Sequence, residues 1–282
     1  MAGPGRDPPR DVKRELRREV GFGCPMASCG SPYLTWHHFD PPWRVEHHQR
    51  TEGMIALCLE HAAQADNGAF ANEQLQALKE SGGDRREKVG GRFNWMRHEI
   101  LARVGGNFYY RTPVIFQLGT VPCVWLTRDE RQHLMVNFRM PTLSGSPRAS
   151  MIDNFWSVPT DIDELVCPPM GRVIEVTYRN GDRFKVEFSE AVDAGALQKK
   201  YPQSNLGSMG QQLPYPLTVV EVWETAAGTT FEFGPHQSRI GGVILSECFM
   251  SNCGAGIHVD VSEEQLRTLF PEASGDEAAN LT

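Results

Sequence analysis

The chain has 282 residues, 40% of them hydrophobic and 22% charged, with a formal net charge of −7. Single cores stop growing near about 250 to 300 residues, so two domains are expected, and the net negative charge weighs against a protein held to nucleic acid mainly by its overall field while leaving local basic patches able to do so. No apolar run reaches the roughly 18 residues of a membrane span, and the polar start from Met1 to Arg10 lacks the apolar stretch of a secretory signal, so a soluble, cytoplasmic protein with no membrane partner is expected.

From Pro9 to Val20, the residues Val12, Leu16 and Val20 recur every fourth position among Arg10, Lys13, Arg14, Arg17 and Arg18, which predicts a helix. Its basic side reads either as a solvated face, with Glu15 and Glu19 pairing locally, or as a phosphate-facing surface. Cys24 and Cys29 then bracket a turn, and Tyr33 to Trp36 has strand content closed by His37 and His38. Met54 to Leu57 reads as a second strand, and LCLEHAAQAD as a helix halted at Asn67-Gly68. Asn72 is expected to cap another helix that ends at Gly82 and Gly83, and the charged run from Asp84 to Lys88 reads as a linker. Phe93, Met96, Ile100, Leu101 and Val104 fall on one side of a further helix expected over about Phe93 to Val104, before Gly105-Gly106.

Beyond that point the texture becomes strand-like, at 114–118, 121–126, 133–138, 172–178, 183–188, 217–223, 229–233 and 241–246. Asn180-Gly181 is a two-residue hairpin signal, and Ser262 with Gln265 forms a capping box for a last helix reaching Phe270, ahead of a frayed acidic tail. The expected class is α+β: a small module with flanking helices at residues 1–83, a linker and connecting helix at 84–107, and a mainly antiparallel β-sandwich or barrel at 108–282.

Seven cysteines, an odd number spread over a long chain, argue against a disulfide framework and for metal ligation where thiols cluster. Cys24-x4-Cys29 and Cys58-x2-His61 are two short-spaced ligand pairs of the kind that close a tetrahedral zinc site. Any one of these cysteines taken singly reads as a small buried hydrophobe, but four ligands in two pairs favour the metal. With all four positions filled by protein, its role is structural. Cys248 and Cys253 repeat the four-residue gap, yet they lack a partner pair, so with Cys123 and Cys167 they read as buried or half-buried thiols. Arg179, Arg183 and Lys185 around the Asn-Gly turn read as solubilising charge before phosphate contacts.

HHFDP (37 to 41) lies between the two ligand pairs, and GMIALCLEHA (53 to 62) carries the second. On these residues the stretch from roughly 20 to 80 resembles the zinc-bearing ββα-metal class of HNH endonucleases. The resemblance implies a metal-dependent nuclease cutting DNA phosphodiester bonds, with His38 as general base and His37 as ligand of a catalytic Mg2+ or Mn2+. Two positions depart from the family pattern. Gly53 stands where an asparagine usually orients the base loop, with Asn67, His47 and His48 as candidate substitutes. Ala62 stands where the final metal-binding histidine is expected, which leaves His37 and Asp66 to hold the ion and implies weak or absent activity. Replacement of a single histidine is favoured over a lineage that lost catalysis.

The alternative is a non-catalytic zinc module joined to a β domain that binds nucleic acid or a partner protein, and a third reading is a zinc-stabilised assembly domain. By analogy with HNH fusions, the β-rich half is expected to recognise a target, sense a signal ligand or drive homo-oligomer assembly, in the setting of a bacterial antiviral defence effector.

Overall fold

A computed structural model describes residues 5–82, 87–204 and 206–271, so the expectations for Gly83, for Asp84–Arg86 and for the acidic tail lie outside the described residues. The elements begin with α1 (Arg10–Glu19), β1 (Leu34–His38), β2 (Met54–Cys58), α2 (Leu59–Asp66), α3 (Asn72–Ser81) and β3 (Lys88–Arg92). There follow β4 (Ile100–Val104), β5 (Asn107–Tyr110), β6 (Val114–Leu118), β7 (Val121–Arg128), β8 (Leu134–Arg139), β9 (Ser150–Ile152), β10 (Phe155–Pro159), β11 (Ile162–Val166), β12 (Val173–Tyr178) and β13 (Arg183–Ala191). The chain closes with α4 (Ala194–Lys200), α5 (Gly207–Gln211), β14 (Leu217–Thr225), β15 (Phe231–Phe233), β16 (Ser238–Ile240), β17 (Val243–Leu245), β18 (Phe249–Ser251), β19 (Ala255–Val259) and α6 (Glu263–Leu269). The fold is mixed and mostly β, and no described helix is long and apolar enough to cross a membrane. Contacts divide it into one unit up to Gly91 that includes Ser157–Gly171, and a second made of Arg92–Trp156 and the chain from Arg172 onward.

In the first unit, β1 and β2 pair antiparallel from Leu34↔Cys58 to His38↔Met54. Every residue of β2 is buried, and Met54, Ile55 and Leu57 form one core with Leu16 of α1, Val20 at its C-cap and Leu75 of α3. Lys79 of α3 is buried beside them and neutralised: its Nζ lies 2.8 Å from a Glu19 carboxylate oxygen and donates to the carbonyls of Met54, at 3.0 Å, and Thr51. Asn72, expected as the cap of α3, is its first residue instead, and the Gln74 side chain accepts from the Ala71 N–H.

The basic residues of α1 follow neither reading offered by the sequence. Arg14 and Arg18 pair with Asp163, while Arg17 donates to Glu164 at 2.6 Å and Arg10 lies 3.5 Å from the same carboxylate. Carboxylates of β11, some 150 residues away in sequence, take the guanidinium groups that local pairing or phosphate was expected to take.

In the second unit the helix expected over Phe93 to Val104 is absent. Its last five residues are β4, buried on both faces, parallel to β14 through Thr218↔Ile100 to Val222↔Val104 and antiparallel to β5. A strand buried on both faces reads as a continuous apolar run, and here that run imitated helical spacing. Gly105 and Gly106, at φ +54° and +80°, make the tight return to β5, and a side chain at Gly106 would strike the His236 backbone.

Antiparallel ladders run β6–β7–β8–β9 and β12–β13–β14, with β15, β16 and β17 continuing from the far end of β14. The pairings of β18 with β5 and β19 with β6 are parallel, and among the described residues the sheets are open. The Asn180-Gly181 hairpin forms, but as a three-residue loop: Gly181 N–H donates to Tyr178 O at 3.1 Å and Gly181 takes φ +93°. The capping box at Ser262 and Gln265 is present. Asp182, fully buried at that hairpin, accepts from Arg148, Thr142, Asn180 and the Ala227 N–H, and Glu221 of β14 accepts from Arg103 and Tyr201. Asp182 thus ties its hairpin to the loop at 142–148 and to Ala227, and Glu221 ties the middle of β14 to Arg103 of β4 and to Tyr201 after α4.

Candidate metal centre

The knuckle after α1 is built by its backbone. Cys29 N–H donates to Met26 O at 3.1 Å, Gly30 N–H to Cys24 O at 3.2 Å and Cys24 N–H to Ser31 O at 2.8 Å, which turns both thiols to one side. Cys58 ends β2 and occupies the N-cap position of α2, so His61, three residues on, lies on the same helical face. The ligand atoms of Cys24, Cys29, Cys58 and His61 all lie within 4.8 Å of one another.

A tetrahedral zinc with bonds of about 2.3 Å to sulfur and 2.0 Å to nitrogen places its ligands roughly 3.8 Å apart, sulfur to sulfur, and roughly 3.5 Å apart, sulfur to nitrogen. The observed Cys29 Sγ to Cys58 Sγ distance is 3.8 Å, and His61 Nδ1 stands 3.5 Å from Cys24 Sγ and 3.1 Å from Cys58 Sγ. The cluster therefore fits a zinc-like ion. Burial pushes the Cys24 thiol up to about 12, so a cation is what would make a thiolate favourable there. Cys248 and Cys253 make no second cluster among the described residues, and each thiol lies against a carbonyl two residues upstream.

The same hairpin and helix bring His37 and Asp66 together. His37 Nδ1 is 3.0 Å from Asp66 Oδ1, linking the end of β1 to the last residue of α2. The other Asp66 oxygen lies 3.8 Å from the exposed Arg6 guanidinium. Burial lowers the His37 pKa, against the pull of Asp66. Ala62 contributes no ligand atom; it is buried and joins Ala65 in the core.

His38 donates from Nε2 to the His48 carbonyl at 3.1 Å, which leaves Nδ1 as the unprotonated nitrogen, buried and without a hydrogen-bond partner. Burial, reinforced by the neighbouring His48 ring, lowers its pKa to about 4, so the imidazole is neutral at pH 7.

The loop after β1 is stitched by His48. Its Nδ1 accepts from the Arg50 N–H at 3.2 Å, so its Nε2 donates to Pro41 O at 2.9 Å, and its own carbonyl holds His38. Gly53 serves the same loop, accepting from Phe39 N–H and Asp40 N–H; a side chain there would lie 1.9 Å from the Asp40 carbonyl oxygen. No asparagine fits at 53. Of the three substitutes considered, His48 makes the orienting contacts, Asn67 donates to Ala63 O at the end of α2, and His47 is exposed.

Arg6 carried no signal in the sequence, and Trp43 only that of a ring against which one of the paired histidines could pack. Trp43 sits with its ring centroid 4.7 Å from that of His38, and Arg6 reaches Asp66 from a segment anchored where Gln49 donates to the Gly5 carbonyl. No family model, curated protein or solved structure matches this chain.

Proposed function

We propose that the first unit is an HNH-type endonuclease module acting on DNA phosphodiester bonds and weakened by the alanine at position 62. The observation that carries this reading is the meeting of His37 and Asp66 at 3.0 Å beside a neutral His38 whose tautomer is fixed, on a hairpin and helix that also converge on the four-ligand cluster. His38 Nδ1 would accept the proton of the attacking water, with His48 holding the ring through its carbonyl. Mg2+ or Mn2+ held by His37 and Asp66 would neutralise charge on the phosphate and the leaving oxygen. Two protein ligands suit an ion that keeps several waters, but they hold it weakly. Since Nδ1 is buried in the free protein, a neighbour must give way as substrate enters, and Trp43 is the half-exposed ring against it. The β-rich remainder would supply recognition, signal sensing or assembly, as in a defence effector.

A second reading, a non-catalytic zinc module that binds nucleic acid or a partner protein, draws support from Ala62 and from the α1 guanidiniums already paired with Asp163 and Glu164. The deciding experiment is nicking of supercoiled plasmid with magnesium or manganese by the chain itself, by Ala62→His, and by Ala62→His combined with His38→Ala. Cleavage that is strongest in Ala62→His and lost with His38→Ala is the expected result. If none of the three cuts while all bind zinc and keep hydrogen-exchange protection in β1 and β2, the nuclease reading is overturned.

A further inference from the structure

The loop from Pro42 to Glu46 closes one helical turn, with Val45 N–H and Glu46 N–H both donating to Pro42 O, at 2.7 and 3.2 Å. Residues 43 and 47 therefore stand one above the other. Trp43 and His47 stack with centroids 4.5 Å apart and planes 11° from parallel. His47 is exposed, Trp43 is half-buried, and the intervening Arg44, Val45 and Glu46 are exposed, Val45 at 71%, with the Glu46 carboxylate taken up by Arg50 at 2.5 Å. A solubilising loop has no need of such a face. The turn is also held in place, because buried His48 pins the loop at Pro41, Arg50 and His38.

On its inner side Trp43 meets His38, whose buried Nδ1 has no partner. An unsatisfied buried acceptor costs about 1 to 3 kcal/mol, and such groups in native proteins call for a role. A rigid aromatic pair with an open outer face, a neighbouring arginine and an orphan acceptor behind it match the parts of a nucleotide subsite, in which a base stacks and the sugar-phosphate lies toward the histidines.

We infer that the Trp43–His47 pair is the base-stacking element of a subsite for single-stranded nucleic acid beside His38. This deepens the nuclease reading and rests on it. The preference for an unpaired strand follows from the geometry: a ring pair on a loop offers its π face, which a duplex base can meet only after leaving its own stack, at a cost of a few kcal/mol.

The test is fluorescence anisotropy of a labelled oligothymidylate and of a labelled duplex, with the full zinc-loaded chain in magnesium-free buffer at fixed salt, for Trp43→Ala, Trp43→Phe and His47→Ala. Stacking is worth about 1 to 3 kcal/mol per base, so Trp43→Ala should weaken single-strand binding about 5- to 150-fold. Trp43→Phe should restore most of that loss, His47→Ala should fall between the two, and duplex affinity should change by less than about twofold on the same scale.

An unchanged single-strand affinity in Trp43→Ala, an equal loss on duplex, or no single-strand binding by the parent chain overturns the inference. Plasmid nicking is scored separately. A chain that nicks while its single-strand affinity ignores Trp43 loses this subsite and keeps the nuclease reading. One that never nicks yet binds single strands through Trp43 keeps the subsite and loses the nuclease.

Discussion

Binding of zinc by Cys24, Cys29, Cys58 and His61 should make the stability of the first unit depend on free zinc, and Cys58→Ser should remove that dependence. Cys24 and Cys58 belong to the same buried core as Leu16, Leu34, Ile55 and Leu57, so the ion is coupled to the packing and is not an ornament on the surface. An ion that binds only the folded state stabilises it by RT ln(1 + [L]/Kd), so two zinc-buffered conditions a hundredfold apart, both above Kd, should differ by about 2.7 kcal/mol. Two units make a global melting curve ambiguous, so the readout should be local. Hydrogen exchange of peptides covering Leu34–His38 and Met54–Cys58 reports opening of the hairpin that carries the site. The parent chain should gain about 2.7 kcal/mol of protection between the two conditions. Cys58→Ser should gain none, and Cys253→Ser, which lies outside the cluster, should behave as the parent. Protection indifferent to zinc in the parent chain, or an equal response in Cys58→Ser, would refute the assignment.

Two further outcomes follow from buried charge. Arg17 and Glu164 are 8% and 7% exposed and 2.6 Å apart, and burial already lowers the Arg17 pKa. Glu164→Gln should therefore destabilise the first unit by about 3 to 5 kcal/mol, while Arg17→Met with Glu164→Leu should recover most of it, both measured by exchange in α1; a loss below about 1 kcal/mol would show that the pair is dispensable. Glu224 is 2% exposed, neither carboxylate oxygen has a hydrogen-bond partner, and burial, with Asp182 nearby, raises its pKa well above 4.5. The folded state thus holds a proton that the unfolded state releases above pH 4.5, so stability is greatest below that pH and falls as pH rises toward the folded value. Urea unfolding of the parent minus Glu224→Gln should drop by about 1.4 kcal/mol per pH unit across that window and stay flat below it; a constant difference would mean Glu224 is ionised in the fold.

The features legible in the sequence were those whose partners are close along the chain. Two ligand pairs at gaps of four and two residues need only a turn and a helix start to converge, and the structure converges them within 4.8 Å. Hairpin turns and the Ser262 capping box are likewise set by neighbours. Reading failed where the partner is distant.

Ile100 to Val104 has spacing that suits a helix, and only the parallel partner at Thr218 to Val222 makes it a strand, since a strand buried on both faces hides its period. The basic residues of α1 looked solvated or phosphate-facing because Asp163 and Glu164 could not be seen beside them. His47 and His48 are equivalent in composition, yet one is an exposed stacked ring and the other a buried stitch, a difference decided by the loop path around Gly53 and Pro41. The sequence by itself determined the residue types and short spacings that a metal requires. Tertiary structure decided which charges are neutralised, which histidine orients His38 and which apolar run becomes a strand, because burial and long-range pairing outweigh local preference by several kcal/mol whenever the two disagree.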